Sequence, residues 1–240
     1  MTGAAVGGIL VVTASALFAA NSCSCQQEVE SSESTFQVKK VYSIKKVLGE
    51  GAFAKVYKAT RISDGVVVAL KAIDNNSTDD SDFQREIHAL TLLSKPGHPH
   101  VCRLYSQHED GKYYYLEMEL IEGGELFEHL IENGPFSERD ASRFVKQHAQ
   151  ALSYIHRKGF VHADLKPENL MMDSWDESKA TLKVVDFGSA RAAGDGNTGL
   201  NGLTIAYAPP EMFGKDGKFH TIEYRRDMYG DSQQATHDIN

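Results

Sequence analysis

The stretch VHADLKPENL, residues 161–170, places an aspartate, a lysine and an asparagine at positions 164, 166 and 169. A carboxylate such as Asp164 can take the proton of an attacking hydroxyl, while the Lys166 ammonium neutralises charge on a group in transfer. Twenty-two residues on, VVDFGSA carries Asp186. Asn169 and Asp186 are the oxygen ligands that Mg²⁺ prefers. Upstream, Lys71 in VALKAI lies fifteen residues before Glu86. A buried lysine needs a carboxylate partner, and a pair so held can present its ammonium to phosphate oxygens. Earlier still, Gly49-Glu50-Gly51-Ala52-Phe53-Ala54 is a turn whose glycines let backbone amides approach phosphates. Each piece is common alone: a glycine turn serves any hairpin, and most Lys–Glu pairs are surface ion pairs. As an ordered set they point to phosphoryl transfer.

The elements that must position these residues follow from patterning. YSIKKVLGE, AKVYKATRI and GVVVALKAI are short β-branched segments separated by turn signals, which predicts three strands. The glycine turn runs into a strand rather than a helix, which argues against a dinucleotide-binding turn. DFQREIHALTLLSK, with Ser81 as a cap, repeats Phe83, Ile87, Leu90 and Leu93 at helical spacing. HPHVCRLYSQHEDGKYYYLEMEL predicts a hairpin turning at Glu109-Asp110-Gly111. Beyond Glu122-Gly123-Gly124 the pattern turns helical: ELFEHLIEN, then SERDASRFVKQHAQALSYIHRKG with Ser137 as cap and Gly159 as stop. NLMMD and TLKVVDF add short strands. A sheet-rich lobe and a helical lobe meeting at a Gly-Gly hinge make the cleft between them the natural ligand site.

Bulk properties narrow the function. The 240-residue chain is 41% hydrophobic and 24% charged, as globular domains are, and its net charge of -8 argues against a nucleic-acid binder. Three cysteines make no disulfide framework, and Cys102 in VCRLY is expected as a small core residue. The ten histidines show no ligand spacing, which argues against zinc. Residues 1–20 are a separate leader. The uncharged run Ala4 to Ala20 fits a signal, a membrane anchor or a segment without folded role, and Cys23 and Cys25 stand where acylation could reach them. Residues 21–40, rich in Ser, Glu and Gln, are expected to form a disordered linker.

The series LGEGAFAKV, VALK, REI, HADLKPEN, DFG and APPE resembles the eukaryotic protein kinase domain, from about Tyr42 to Gly230. The resemblance implies an α+β, two-lobed fold over residues 41–230. A small antiparallel sheet with one helix (41–121) would precede a mainly helical lobe (122–230), with a tail at 231–240. It also implies ATP and Mg²⁺ as cofactors and Ser/Thr hydroxyls of proteins as substrates. Leu48, Gly49, Glu50, Gly51, Ala52, Phe53, Ala54, Lys55 and Val56 would form the loop over the phosphates. Lys71, paired with Glu86, would hold the α and β phosphates. Asp164 would be the base, Lys166 the γ-phosphoryl stabiliser, and Asn169 and Asp186 the Mg²⁺ ligands. Val56, Ala69 and Met171 would sandwich the adenine, with backbone groups of Glu119 and Ile121 at its edge, Met118 as gatekeeper and Glu125 near the ribose. DLKPEN is the serine/threonine wording, and EGGELFEHL and HADLKPENLMM are most similar to the calcium/calmodulin-dependent group. A cytoplasmic location is implied, with membrane association through residues 4–20 as the alternative.

Two departures carry expectations of their own. Ala163 stands where the family places an arginine that gathers an activation-loop phosphate. Chemistry should therefore survive, independent of phosphorylation at Thr198. DMYG at 227–230 resembles the start of the central helix of the helical lobe, yet DSQQATHDIN follows. The lobe is therefore expected to be truncated there, with Glu211 unpaired and the apolar face of FVKQHAQALSYI exposed. A catalytically impaired nucleotide-binding or scaffold protein is the alternative reading.

Overall fold

The computed structural model describes residues 36–51, 54–75, 80–194, 204 and 226–227. The three β-branched segments form strands β1 (Tyr42–Glu50), β2 (Ala54–Arg61) and β3 (Val67–Asp74). The hairpin supplies β4 (Leu104–Glu109) and β5 (Tyr113–Met118), and the five strands pair antiparallel in the order β1-β2-β3-β5-β4. Before them stands a one-turn helix, α1 (Val38–Val41), and Phe36 stacks on His108 with ring centroids 4.3 Å apart. The linker expected over 21–40 is thus corrected at its end: residues 36–40 are held against the sheet. Residues 21–35 lie outside the described residues.

Helix α2 (Asp80–Leu93) follows β3, and its Phe83 ring stacks on Tyr114 of β5 at 3.7 Å. Ser81 was expected as its cap but falls inside the helix, which begins one residue earlier. The helical spacing places Phe83, Leu90 and Leu93 in the core, each no more than 2% exposed, together with Leu116 of β5. Burying each such side chain contributes about 1.5–3 kcal/mol.

The second lobe begins after Gly123-Gly124. Here glycine is required, because a Cβ on Gly123 would press into the backbone of Met172 and Ser174, and Gly124 sits at φ +79° against Trp175. Helix α3 (Leu126–Asn133) is capped by Glu125, and α4 (Glu138–Arg157) by Ser137, whose hydroxyl accepts from the Asp140 amide at 3.1 Å. Short strands β6 (Phe160–Val161) and β9 (Arg191–Ala192) pair, as do β7 (Leu170–Met172) and β8 (Leu182–Val184). The face of α4 expected to be exposed is covered: Phe144, His148, Ala151, Leu152 and Ile155 are all buried. One apolar cluster runs from Ile73 and Leu116 in the sheet to Leu152, Leu182 and Phe187 in the helical lobe, which fixes the cleft floor. Cys102 is a buried core residue, and burial pushes its thiol up to about 12.

On the opposite face of the sheet lies a feature without sequence warning. Glu117 is 2% exposed and accepts from Tyr42 Oη (2.7 Å), Ser106 Oγ (2.6 Å) and Arg61 Nε (2.9 Å). Burial alone would raise its carboxyl, but these donors outweigh burial and hold it below its ordinary 4.5. A carboxyl depressed by folding adds stability above its unfolded value, and that stability is lost as the pH falls below it. The stability gap between wild type and Glu117→Gln in denaturant unfolding should therefore shrink between about pH 6 and about pH 3. A gap constant with pH would contradict this account of the network.

Candidate active site

Strand β3 delivers Lys71 toward α2, where Glu86 is 6% exposed. The Lys71 ammonium lies 2.6 Å from Glu86 Oε1 and 3.5 Å from Asp186 Oδ1. Burial would lower this ammonium, but the Glu86 and Asp186 carboxylates outweigh it and hold it above the ordinary lysine range. Reciprocally, Lys71 is the main cause of the lowered Asp186 carboxyl, which opens to the cleft.

The segment after β6 gathers the second group. Asp164 is buried at 8% exposure, with Lys166 Nζ 2.8 Å from its Oδ2. The Asn169 amide donates to the Asp164 carbonyl at 2.7 Å, which commits its nitrogen and leaves its oxygen as the available ligand atom. The two groups are joined by backbone, since the Val185 amide, one residue before Asp186, donates to Asn169 O at 2.9 Å. Burial would lower the Lys166 ammonium, but Asp164 chiefly, with Glu168 and Asp186, raises it. Lys71, Glu86, Asp164, Lys166, Asn169 and Asp186 thus form one connected constellation. Asp186 and Asn169, joined through the Val185 amide, supply a carboxylate and an amide oxygen, hard donors of the kind that suit Mg²⁺.

Among the described residues, only two non-glycine residues have positive φ, and both are here: Ala163 (+69°) and Asp186 (+56°). Such a backbone costs about 1–2 kcal/mol per residue and must be held by its surroundings. Asp227, fully buried, does so at Ala163. Its two oxygens accept from the His162 and Ala163 amides, each at 2.9 Å, and His156 Nε2 lies 2.8 Å from Oδ2. His162 completes the brace: its Nδ1 accepts from the Asp164 amide at 3.4 Å, so its Nε2 carries the proton donated to Val185 O at 2.9 Å.

The remaining sequence-predicted residues lie on the sheet, on the segment that follows β5, and on β7. Leu48, Gly49 and Glu50 lie on β1 opposite Lys55 and Val56 of β2. The Gly51 amide closes the turn onto Ala54 O at 2.8 Å. Ala52 and Phe53 lie outside the described residues. Glu50 and Lys55 pair with each other at the surface (2.8 Å), so only their backbone is available to a ligand in the cleft. Ala69 is paired with Met118 across β3 and β5, and Met171 lies on β7. The Glu119 amide is committed to Arg103 O at 2.9 Å, and its carbonyl accepts from the Cys102 thiol at 4.0 Å. Glu125 caps α3 and bridges to Met171. A separate open depression of about 460 Å³, lined by His98, Lys146, Ala149, Gln150, Ser153 and Arg157, contains none of these residues.

Sequence reasoning missed Thr204, whose amide donates to Asp164 Oδ1 (3.1 Å) while its hydroxyl accepts from Lys166 Nζ (3.1 Å). It also assigned no role to Asp227. Both act across more than 35 residues, where no local pattern marks them.

The sequence pattern of the protein kinase domain matches residues 42–230. The chain is 33% identical over 188 residues to a calcium/calmodulin-dependent protein kinase type 1 of Caenorhabditis briggsae (78% of this chain, 52% of that protein). It is 37% identical over 171 residues to a probable myosin light chain kinase of Dictyostelium discoideum (71% and 53%). It is 38% identical over 183 residues to an Aurora kinase of Schizosaccharomyces pombe (75% and 50%). The chain spans about half the length of these curated relatives.

If Asp227 holds the strained backbone, Asp227→Ala should cost about 3 kcal/mol through the buried amides it strands. Asp227→Asn, which keeps one acceptor, should cost less. Thermal unfolding of both variants checks the order, and equal, small losses would contradict it.

Proposed function

This chain belongs to the protein kinase family, and from that premise we propose that it transfers the γ-phosphoryl group of ATP to serine or threonine hydroxyls of protein substrates. The observation that carries the reading is the buried Asp164 carboxylate with Lys166 at 2.8 Å, linked through Asn169 to Asp186 and Lys71. In this reading Asp164 accepts the proton of the attacking hydroxyl, which ties bond formation to loss of that proton. Lys166 stands beside the transferring group and offsets its charge, held in place by Asp164 and Thr204. Lys71, kept charged by Glu86, grips the α and β phosphates, and the amides of the glycine turn cover them from above. Asn169 and Asp186 would hold Mg²⁺, which when bound neutralises charge on the phosphates. Val56, Ala69 and Met171 enclose the adenine beside Met118, Glu119 and Ile121, and Glu125 faces the ribose.

The DLKPEN wording favours serine and threonine over tyrosine. Ala163 removes a phosphate-gathering arginine without touching the bond-making groups, so activity does not depend on phosphorylating Thr198, which lies outside the described residues. A cytoplasmic site fits a consumer of ATP. Residues 4–20 add a route to membrane association; they too lie outside the described residues, among which no helix is long and apolar enough to cross a membrane. Fractionation with and without residues 4–20 tests this, and identical distributions would end the idea.

The direct test is transfer of labelled γ-phosphate to a generic protein substrate. Asp164→Asn should lower turnover by about 10²–10⁴-fold. Equal signal from wild type and variant would leave only a nucleotide-binding module. Thr198→Ala should keep turnover within about twofold, because no arginine at 163 waits for its phosphate.

A further inference from the structure

The segment that leaves β5 for the second lobe carries a tether that neither patterning nor family resemblance singled out. Lys183, at the centre of β8, is 8% exposed, and its ammonium lies 2.5 Å from Glu119 Oε1. Among the described residues Glu119 is its ion-pair partner. In the β7–β8 ladder Lys183 stands directly opposite Met171. Its backbone thus belongs to the floor of the cleft, while its side chain grips the hinge.

Glu119 is the first residue after β5, with its amide spent on Arg103 O and its carbonyl accepting from the Cys102 thiol with one of its two lone pairs. The hinge is also fastened farther along, where the Met172 amide reaches Gly124 O at 2.9 Å and His129 Nε2 lies 2.6 Å from Gly123 O. The Gly123 amide reaches Met172 O at 2.8 Å, and Lys58 pairs with Glu122, whose side chain is 60% exposed. An exposed pair of that kind contributes little, whereas a pair shielded as Lys183–Glu119 is fixes geometry. We propose that Lys183 is a positioning residue for the purine end of the nucleotide. By drawing the Glu119 side chain onto β8, it sets the height of the Glu119 carbonyl and Ile121 backbone above Met171. It touches no reacting atom. The proposal rests on the kinase reading above, and its test separates the two.

The probes are adenosine, which needs the hinge, and Mg²⁺-tripolyphosphate, which needs only Lys71 and the phosphate end. Lys183→Met and Glu119→Met remove opposite charges but the same tether. Both should therefore weaken adenosine binding by about tenfold, or about 1.4 kcal/mol, in calorimetric titration. Tripolyphosphate affinity should stay within about twofold, which also reports that each variant is folded. Lys183→Arg should restore adenosine affinity, since a guanidinium can span the same gap to Glu119. In steady state, Lys183→Met should raise KM for ATP with little change in kcat. Adenosine affinity unchanged in both methionine variants, or equal losses for adenosine and tripolyphosphate, would overturn the proposal. Failure of the wild-type chain to bind adenosine would instead overturn the reading on which it rests.

Discussion

An ammonium taken out of water must be paired, and Lys71 is paired twice. Glu86 comes from a helix and Asp186 from the far lobe, so one side chain joins sheet, helix and cleft floor. Removing either carboxylate would leave charge buried in a place where its desolvation is costly. That demand sets the distance between α2 and β3 and draws Asp186 inward. Because Asp186 follows Val185, whose amide is fixed to Asn169, the same pull registers the Asp164 segment against the sheet. The Lys71 site is thus a fastening of the fold at the same place where the proposed nucleotide would bind.

The same economy appears at Asp227. Its carboxylate neither reacts nor meets solvent, yet it secures the two amides that precede Asp164 and so permits a left-handed backbone at Ala163. Strain held this way fixes the backbone immediately before Asp164. Thr204 finishes the placement from the other side, by its amide to Asp164 and its hydroxyl to Lys166. Two residues remote in sequence, Asp227 and Thr204, therefore hold the Asp164 segment.

What could be read in the sequence was whatever is written locally. The β-branched runs gave β1 to β3, the Glu109-Asp110-Gly111 turn gave the hairpin, and Ser137 announced α4. Lys71, Glu86, Asp164, Asn169 and Asp186 could be ordered because each sits in a short motif with its own chemistry. The pairing of Glu117 with Tyr42 and Arg61 could not, since a glutamate in a strand ordinarily points to solvent and its partners lie on other strands. Lys183 drew no reading for the same reason, since its partner Glu119 lies on another segment. The exposed face expected on α4 was an error of a different kind. It assumed that the helix depended for cover on the residues past 230, whereas β6, β8 and the apolar cluster with Leu182 and Phe187 already bury it. Phe36, placed in a polar linker by composition, is held by ring contacts with His108 and Tyr115 that composition does not register.

The central claim is that these scattered charges converge to hold a magnesium–nucleotide complex. Thermal unfolding with and without saturating Mg²⁺·ATP tests it most directly, because a ligand at about 100 times its Kd stabilises the folded chain by about 2.7 kcal/mol. Wild type should unfold several degrees higher with the complex present, and Lys71→Met and Asp186→Asn should each lose most of that rise. An equal rise in all three proteins, or none in the wild type, would contradict the account.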